Sequence, residues 1–133
     1  PESGAGKINL EEGPDMDNKS LGSRGEDAAA LYLKRHGYRI VERNFRVPAG
    51  EIDIVACQGD ILVFAEVKTR RSDSCGVPAQ AVNYYKQQKI IKTAKWFLRQ
   101  RHLEECPCRF DVLEVYAHGD ICHIRHIIGA FEA

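Results

Sequence analysis

Apolar residues show no regular spacing over residues 1–20 and become periodic from Leu21 onward. Ala28, Ala29, Ala30, Leu31, Tyr32 and Leu33 favour a helix, and Gly37, just after Lys34, Arg35 and His36, supplies a stop. Residues 38–45 partly alternate and predict a strand, after which Pro48-Ala49-Gly50 turns the chain. Residues 51–57 and 61–68 read as two more strands, joined by the three-residue loop Gln58-Gly59-Asp60. A loop follows through Gly76 and Pro78. From about residue 80 to 102 the period becomes helical. At about 100° per residue, Ile90, Ile91, Ala94, Phe97 and Leu98 share an arc of about 120°. Lys86, Lys89, Lys92, Lys95 and Arg99 lie on the other side. Residues 109–116 and 121–128 predict strands meeting at His118-Gly119-Asp120. The order helix, three strands, helix, two strands implies an α/β domain with a mixed sheet. Residues 1–20 are expected to be a mobile tail and residues 21–133 one domain. The only methionine, Met16, lies in the tail, and residues 1–15 are read as an added segment or a leader.

Charges interrupt the strand pattern at one place. Val63, Ala65 and Val67 share one face, while Leu62, Phe64, Glu66 and Lys68 share the other. Apolar residues on both faces mark a covered central strand, so Glu66 and Lys68 extend a buried face with opposite charges. In the preceding strand Ile52, Ile54 and Ala56 face one way, with Glu51, Asp53, Val55 and Cys57 opposite. If these strands pair, Asp53 and Glu66 meet on one face beside Lys68. Two carboxylates and a lysine suit phosphodiester hydrolysis assisted by Mg²⁺ or Mn²⁺, hard cations that take oxygen ligands and bridge to phosphate. The metal polarises the phosphate and acidifies an attacking water, and the lysine orients that water or stabilises developing charge. The bland alternative is a buried Glu–Lys ion pair with an Asp in a turn, because D…E-x-K is short and recurs by chance.

Composition is that of an ordinary globular chain of 133 residues, 44% apolar and 29% charged. Its formal net charge is +0, which excludes a bulk-basic tail protein and an acidic disordered one. The charge is unevenly spread: residues 48–67 hold four acidic groups and no basic ones, while residues 68–101 hold nine basic groups against Asp73 alone. Local positive charge therefore remains available to a nucleic acid. Five cysteines without regular spacing, no signal-peptide pattern and no long apolar run lead us to expect a reduced cytoplasmic protein without a membrane span. Cys106-Pro107-Cys108 with His102 lacks the spacing and second ligand pair of a structural zinc site.

Gly25-Glu26, Gly50-Glu51-Ile52-Asp53 and Phe64-Ala65-Glu66-Val67-Lys68-Thr69-Arg70 resemble the YraN-type bacterial protein family. Gly37-Tyr38, Arg43-Asn44, Gly76, Pro78, Ala81-Val82, Lys86 and Arg109-Phe110-Asp111 extend the resemblance. That family resembles endonucleases of the PD-(D/E)XK superfamily and, distantly, archaeal Holliday junction resolvases. The resemblance implies a restriction-endonuclease-like αβββαβ core, a mixed central sheet flanked by helices. It implies Asp53, Glu66 and the Val67 carbonyl as metal ligands, Lys68 beside the attacking water, and Glu26 reaching the metal or its waters. DNA, branched or otherwise structured, and a homodimer are implied by the resolvase similarity alone. Ala65 departs from a usual bulkier β-branched residue, and Glu51-Ile52 precede the aspartate where a proline is common; neither removes a catalytic group.

Other readings stand beside these. Ser23-Arg24-Gly25-Glu26 also fits a capping box, with Glu26 bonding back to the Ser23 amide. Glu51 is a strand-edge charge or a support for Asp53. The basic helix is a solvated face or a row of phosphate contacts, with Lys86, Lys89 and Lys92 the candidates and Arg70 and Arg71 placed similarly. Trp96 falls on the basic side as a partly buried ring or a stacking surface, and Arg109 and Asp111 form a candidate structural ion pair. The reading adopted is a metal-dependent endonuclease. Its rivals are a non-catalytic nucleic-acid-binding or assembly protein with the same fold, and an interaction domain without a nucleic-acid role.

Overall fold

The computed structural model describes residues 2–10, 20–71 and 82–133. Strand β1 (Glu2–Asn9) precedes helix α1 (Leu21–Arg35), strands β2 (Arg39–Val47), β3 (Gly50–Gln58) and β4 (Ile61–Arg71), helix α2 (Tyr84–Arg101), and strands β5 (Cys108–His118) and β6 (Ile121–Phe131). They form one six-stranded sheet in the order β1-β6-β5-β4-β3-β2. Only the β4–β5 pair is parallel, with α2 as its crossover, so the sheet is mixed. This is the α/β architecture expected, compatible with a restriction-endonuclease-like core.

The main difference lies at the N-terminus. Residues 2–9 were expected in a mobile tail, yet they pair antiparallel along β6 from Glu2↔Ile128 to Asn9↔Ile121. Their inward positions are Gly4, Gly6 and Ile8, so two glycines stand where a strand usually shows apolar side chains. A Cβ at Gly6 would lie 2.7 Å from the Tyr32 ring, and Ile8 and Leu10 complete the core at 2% exposure each. Two of the hairpin turns are also tighter than expected. Gln58 pairs with Ile61 and His118 with Ile121, leaving Gly59-Asp60 and Gly119-Asp120 as two-residue turns with left-handed glycines.

Helix α1 spans the sheet on one side, and α2 packs on the other against β2 and β3. Buried Ala28, Ala29 and Ala30 bring α1 close to Ile54, Val63, Ala65, Leu113 and Val115. Phe97, on α2, is fully buried against Phe45 and Phe64. Burial of such side chains contributes roughly 1.5–3 kcal/mol each, so both faces of β4 are held in place. Asn83 caps α2, its Oδ1 accepting from the Lys86 amide at 2.8 Å, and His102 closes it in a left-handed conformation. The loop matches Gly76, Pro78 and Ala81 lie outside the described residues. No helix among the described residues is long and apolar enough to cross a membrane.

Candidate active site

Strands β3 and β4 pair from Gln58↔Ile61 to Ile54↔Ala65, and there the ladder ends. Continued by one step, the register sets Asp53 opposite Glu66. Instead of a further backbone bond, the Val67 amide donates to Asp53 Oδ2 at 2.8 Å. The aspartate thus fills a gap in the ladder where β3 leaves β4. Past the gap, β3 no longer follows simple alternation. Ile52, expected to face with Ile54 and Ala56, packs instead in the α2-side core with Phe45. Opening the sheet here lets side chains from both helices reach one spot.

The carboxyls of Asp53 and Glu66 are in hydrogen-bonding contact, and both resist ionisation. Burial pushes the Glu66 pKa up to about 7, with the Asp53 charge adding to the effect and Lys86 opposing it. Burial likewise raises Asp53, against the Val67 hydrogen bond, while Glu51 adds to the rise and Lys86 opposes it. Lys86 Nζ lies 3.2 Å from Glu66 Oε1. Lys86, expected at phosphate, is therefore ion-paired with the proposed ligand itself.

Glu26 approaches from α1. Ser20, not Ser23, caps this helix, its Oγ accepting from the Ser23 amide at 3.2 Å. A helix that starts at Leu21 puts Ser23 inside it, so the capping-box reading of Glu26 does not hold. Burial and the Asp53 charge raise the Glu26 pKa, against Arg43 and a hydrogen bond with Asn44. Glu26 Oε1 is buried without a hydrogen-bond partner; Arg43 Nη2 stands 3.7 Å away and bonds Asp27 at 2.9 Å. Asn44 has φ 54°, a left-handed backbone that Asn tolerates better than most residues. Gly25 sets the depth of α1. A Cβ there would fall 2.6 Å from Thr69 Cγ2, so glycine allows α1 to rest directly on β4.

Lys68 lies two residues beyond Glu66 on the same face, half-buried and in register with Glu114. Arg70 is half-buried next along that face, and Arg71 is exposed. Lys89 and Lys92 are exposed on α2. Glu51 is an exposed edge charge paired with Arg46 at 3.3 Å, near enough to raise both Glu26 and Asp53. An open cleft of about 380 Å³ between the β2–β3 turn and α2 is lined by Arg46, Glu51, Lys86 and Lys89. Among the described residues, no group of three or more His, Cys, Asp or Glu side chains is close enough to form a ready-made metal cage.

Residue patterns did not reveal the roles of Arg43 and Asn44 around Glu26; the Arg109–Asp111 ion pair they suggested is present, but its partners Tyr38, His126 and Gly129 were not foreseen. Arg109 makes a two-pronged contact with Asp111 at 2.8 and 2.9 Å and bonds the Tyr38 hydroxyl at 2.7 Å. Asp111 also meets His126 Nε2 at 2.7 Å and accepts from the Gly129 amide at 3.0 Å. Tyr32 lies 3.3 Å from His126 Nδ1. Asp111 and His126 are 0% and 1% exposed, so the network joins α1, β5 and β6 from inside.

Residues 25–115 match the model of the uncharacterised protein family UPF0102. The matched span contains Glu26, Asp53, Glu66, Lys68 and Lys86. A UPF0102 protein of Geobacter metallireducens is 52% identical over 118 residues, covering 88% of this chain and 96% of the relative. One from Syntrophotalea carbinolica is 49% identical over 113 residues, covering 85% and 92% respectively. One from Caldanaerobacter subterraneus is 41% identical over 119 residues, covering 87% and 98%. With the family model spanning both strands of the acidic site, this chain belongs to UPF0102, the YraN family.

Proposed function

We propose that this protein is a divalent-metal-dependent endonuclease that hydrolyses DNA phosphodiester bonds and works in the cytoplasm. The observation that carries the reading is Asp53 at the gap between β3 and β4, in contact with Glu66 and close enough to Glu26 to raise its pKa as well. Asp53 disfavours the charge of both Glu26 and Glu66, and Glu26 Oε1 is buried without a hydrogen bond, so a hard cation beside Asp53 would relieve these acids. Asp53 and Glu66 would hold Mg²⁺ or Mn²⁺ with the Val67 carbonyl, and Glu26 would hold its water shell. When bound, the cation supplies Lewis acidity toward phosphate and a more acidic water. The chain's own part is positional. The Val67 amide fixes Asp53, Lys68 stands by for the attacking water, and Lys86 is free to move from Glu66 to a phosphate oxygen once the carboxylates are neutralised. Arg70, Arg71, Lys89 and Lys92 supply positive charge to the backbone. Branched or structured DNA and a homodimer are the substrate and assembly we favour.

A specific observation favours a second reading. Lys86 already supplies a cation at 3.2 Å from Glu66, as it would in a protein that kept the fold and binds nucleic acid without cutting it. The experiment incubates the protein with plasmid and branched DNA in Mg²⁺ or Mn²⁺, beside Glu66→Ala and Lys68→Ala. Metal-dependent cleavage that both substitutions abolish supports the nuclease. Cleavage persisting unchanged in both sinks the site assignment, and salt-sensitive binding without cleavage hands the case to the second reading.

A further inference from the structure

Helix α2 carries a line of side chains that neither the core nor the acidic site uses. Tyr85, Lys89, Lys92, Trp96 and Arg99 follow one another at steps of four, three, four and three, so they form one stripe along the exposed side. Tyr85 is 72% and Trp96 45% exposed; the expectation that Trp96 is partly buried understates how open it is. Each ring is braced by a cation of the same stripe: Lys89 Nζ lies 5.5 Å from the Tyr85 ring centre, and the Arg99 guanidinium carbon 5.3 Å from that of Trp96. No acidic residue occurs anywhere in α2. Isolated exposed aromatics are common on surfaces, but two large rings aligned with three cations are not scatter. The helix is anchored by its opposite face, Ile90, Ile91, Ala94 and Phe97, so packing does not require these rings.

We propose that this stripe binds single-stranded DNA, stacking unpaired bases on Tyr85 and Trp96 while Lys89, Lys92 and Arg99 contact the phosphates. Charge selects a polyanion, and the rings select one whose base faces are free, which a closed duplex does not offer. Eleven residues separate the rings, about 16 Å along the helix. That is room for about five stacked nucleotides at about 3.4 Å each, within the span common for sequence-tolerant single-strand binders. Because Lys86 lies on the same helix and reaches Glu66, the stripe leads from the acidic site. The inference deepens the nuclease reading by giving its substrate an unpaired segment, and its binding step stands without cleavage.

The test exploits the only tryptophan in the chain. The full-length protein is titrated in EDTA with an oligothymidylate of about 12 nucleotides, following tryptophan emission and, with a labelled oligonucleotide, anisotropy. Saturable quenching of Trp96 is expected. Tyr85→Ala and Trp96→Ala are each expected to weaken binding roughly 5- to 150-fold. Trp96→Phe should keep most of the affinity and lose the signal. A duplex of the same length should compete poorly. Binding with no change in emission, or wild-type affinity in both alanine variants, overturns the proposal. So does a result in which the alanine variants break up a self-associated form in sedimentation while binding DNA normally. Quenching by a protein that never cleaves defeats the nuclease reading alone. Metal-dependent cleavage without quenching defeats the stacking surface alone.

Discussion

Replacing Glu66 by glutamine keeps the side chain's size and hydrogen-bonding reach but removes its negative charge. In the folded protein Glu66 has its pKa raised from an ordinary 4.5 to about 7, first by burial and then by the Asp53 charge. The native state therefore holds a proton that the unfolded chain releases, so stability falls as pH rises from about 4.5 to about 7. At about 1.4 kcal/mol per pH unit, the full effect is about 3 kcal/mol, shared with Asp53 because the two titrate as a pair. The Glu66 side chain is only 11% exposed, so solvent screens little of this. Lys86 already offsets part of it, and the raised value is what remains.

Urea denaturation of metal-free protein at pH 5 and pH 8 provides the assay. Glu66→Gln is expected to match the wild type at pH 5, within about 1 kcal/mol, and to exceed it by about 1–3 kcal/mol at pH 8. Millimolar Mg²⁺ should then raise the wild type and leave the variant unchanged, because binding stabilises only the state that holds the site. A variant less stable than wild type at both pH values would refute the reasoning. The Lys86–Glu66 contact would then be a net structural ion pair rather than partial relief for a strained acid.

Two further substitutions probe the frame around the site. Gly25→Ala places a methyl 2.6 Å from Thr69 Cγ2; overpacking of about 1–3 kcal/mol should outweigh the roughly 1 kcal/mol gained in helix propensity. Its urea midpoint should fall and recover with Thr69→Ala, and a raised midpoint in the single variant counts against the close approach. Asp111→Asn leaves Arg109 and His126 without their anion and should cost about 3–5 kcal/mol by chemical denaturation. Burial pushes the Asp111 pKa up, but bonds from His126, Arg109 and Gly129 prevail and hold it below 3.8. Its contribution is therefore present above pH 3.8 and lost as pH falls through the lower native value. A stability gap between wild type and variant that stays unchanged as pH falls from neutral into acid would contradict this.

Much of this was legible in the sequence because it depends on short-range periodicity. Alternation through Phe64 marked β4 as covered on both faces, and pairing with β3 brought Asp53 toward Glu66. What was hidden depends on contacts across the fold. β1 was missed because Gly4 and Gly6, which admit the Tyr32 ring, erase the apolar half of its alternation. Ser23 and Glu26 match a cap by spacing, but the helix starts earlier because Ser20 satisfies the Ser23 amide. The Arg109–Asp111–His126 network joins residues up to 17 positions apart and ends on Tyr32, 94 positions from His126. The Arg109–Asp111 pair was suggested by spacing, but no local pattern encodes its meeting with His126 and Tyr32, and the left-handed backbone at Asn44 is equally silent.

The position of the acidic site follows from the way the sheet opens. In a continuous ladder Asp53 and Glu66 would face each other under α2, and Glu26 on α1 would be sealed behind the sheet, out of their reach. Ending the ladder at Ile54↔Ala65 costs backbone pairing, which the Asp53 carboxylate partly restores by accepting from Val67. The same gap admits Glu26 from one face and Lys86 from the other. The bond that repairs the sheet therefore also fixes the acid at its centre. A substitution at Asp53 should disturb fold and chemistry together.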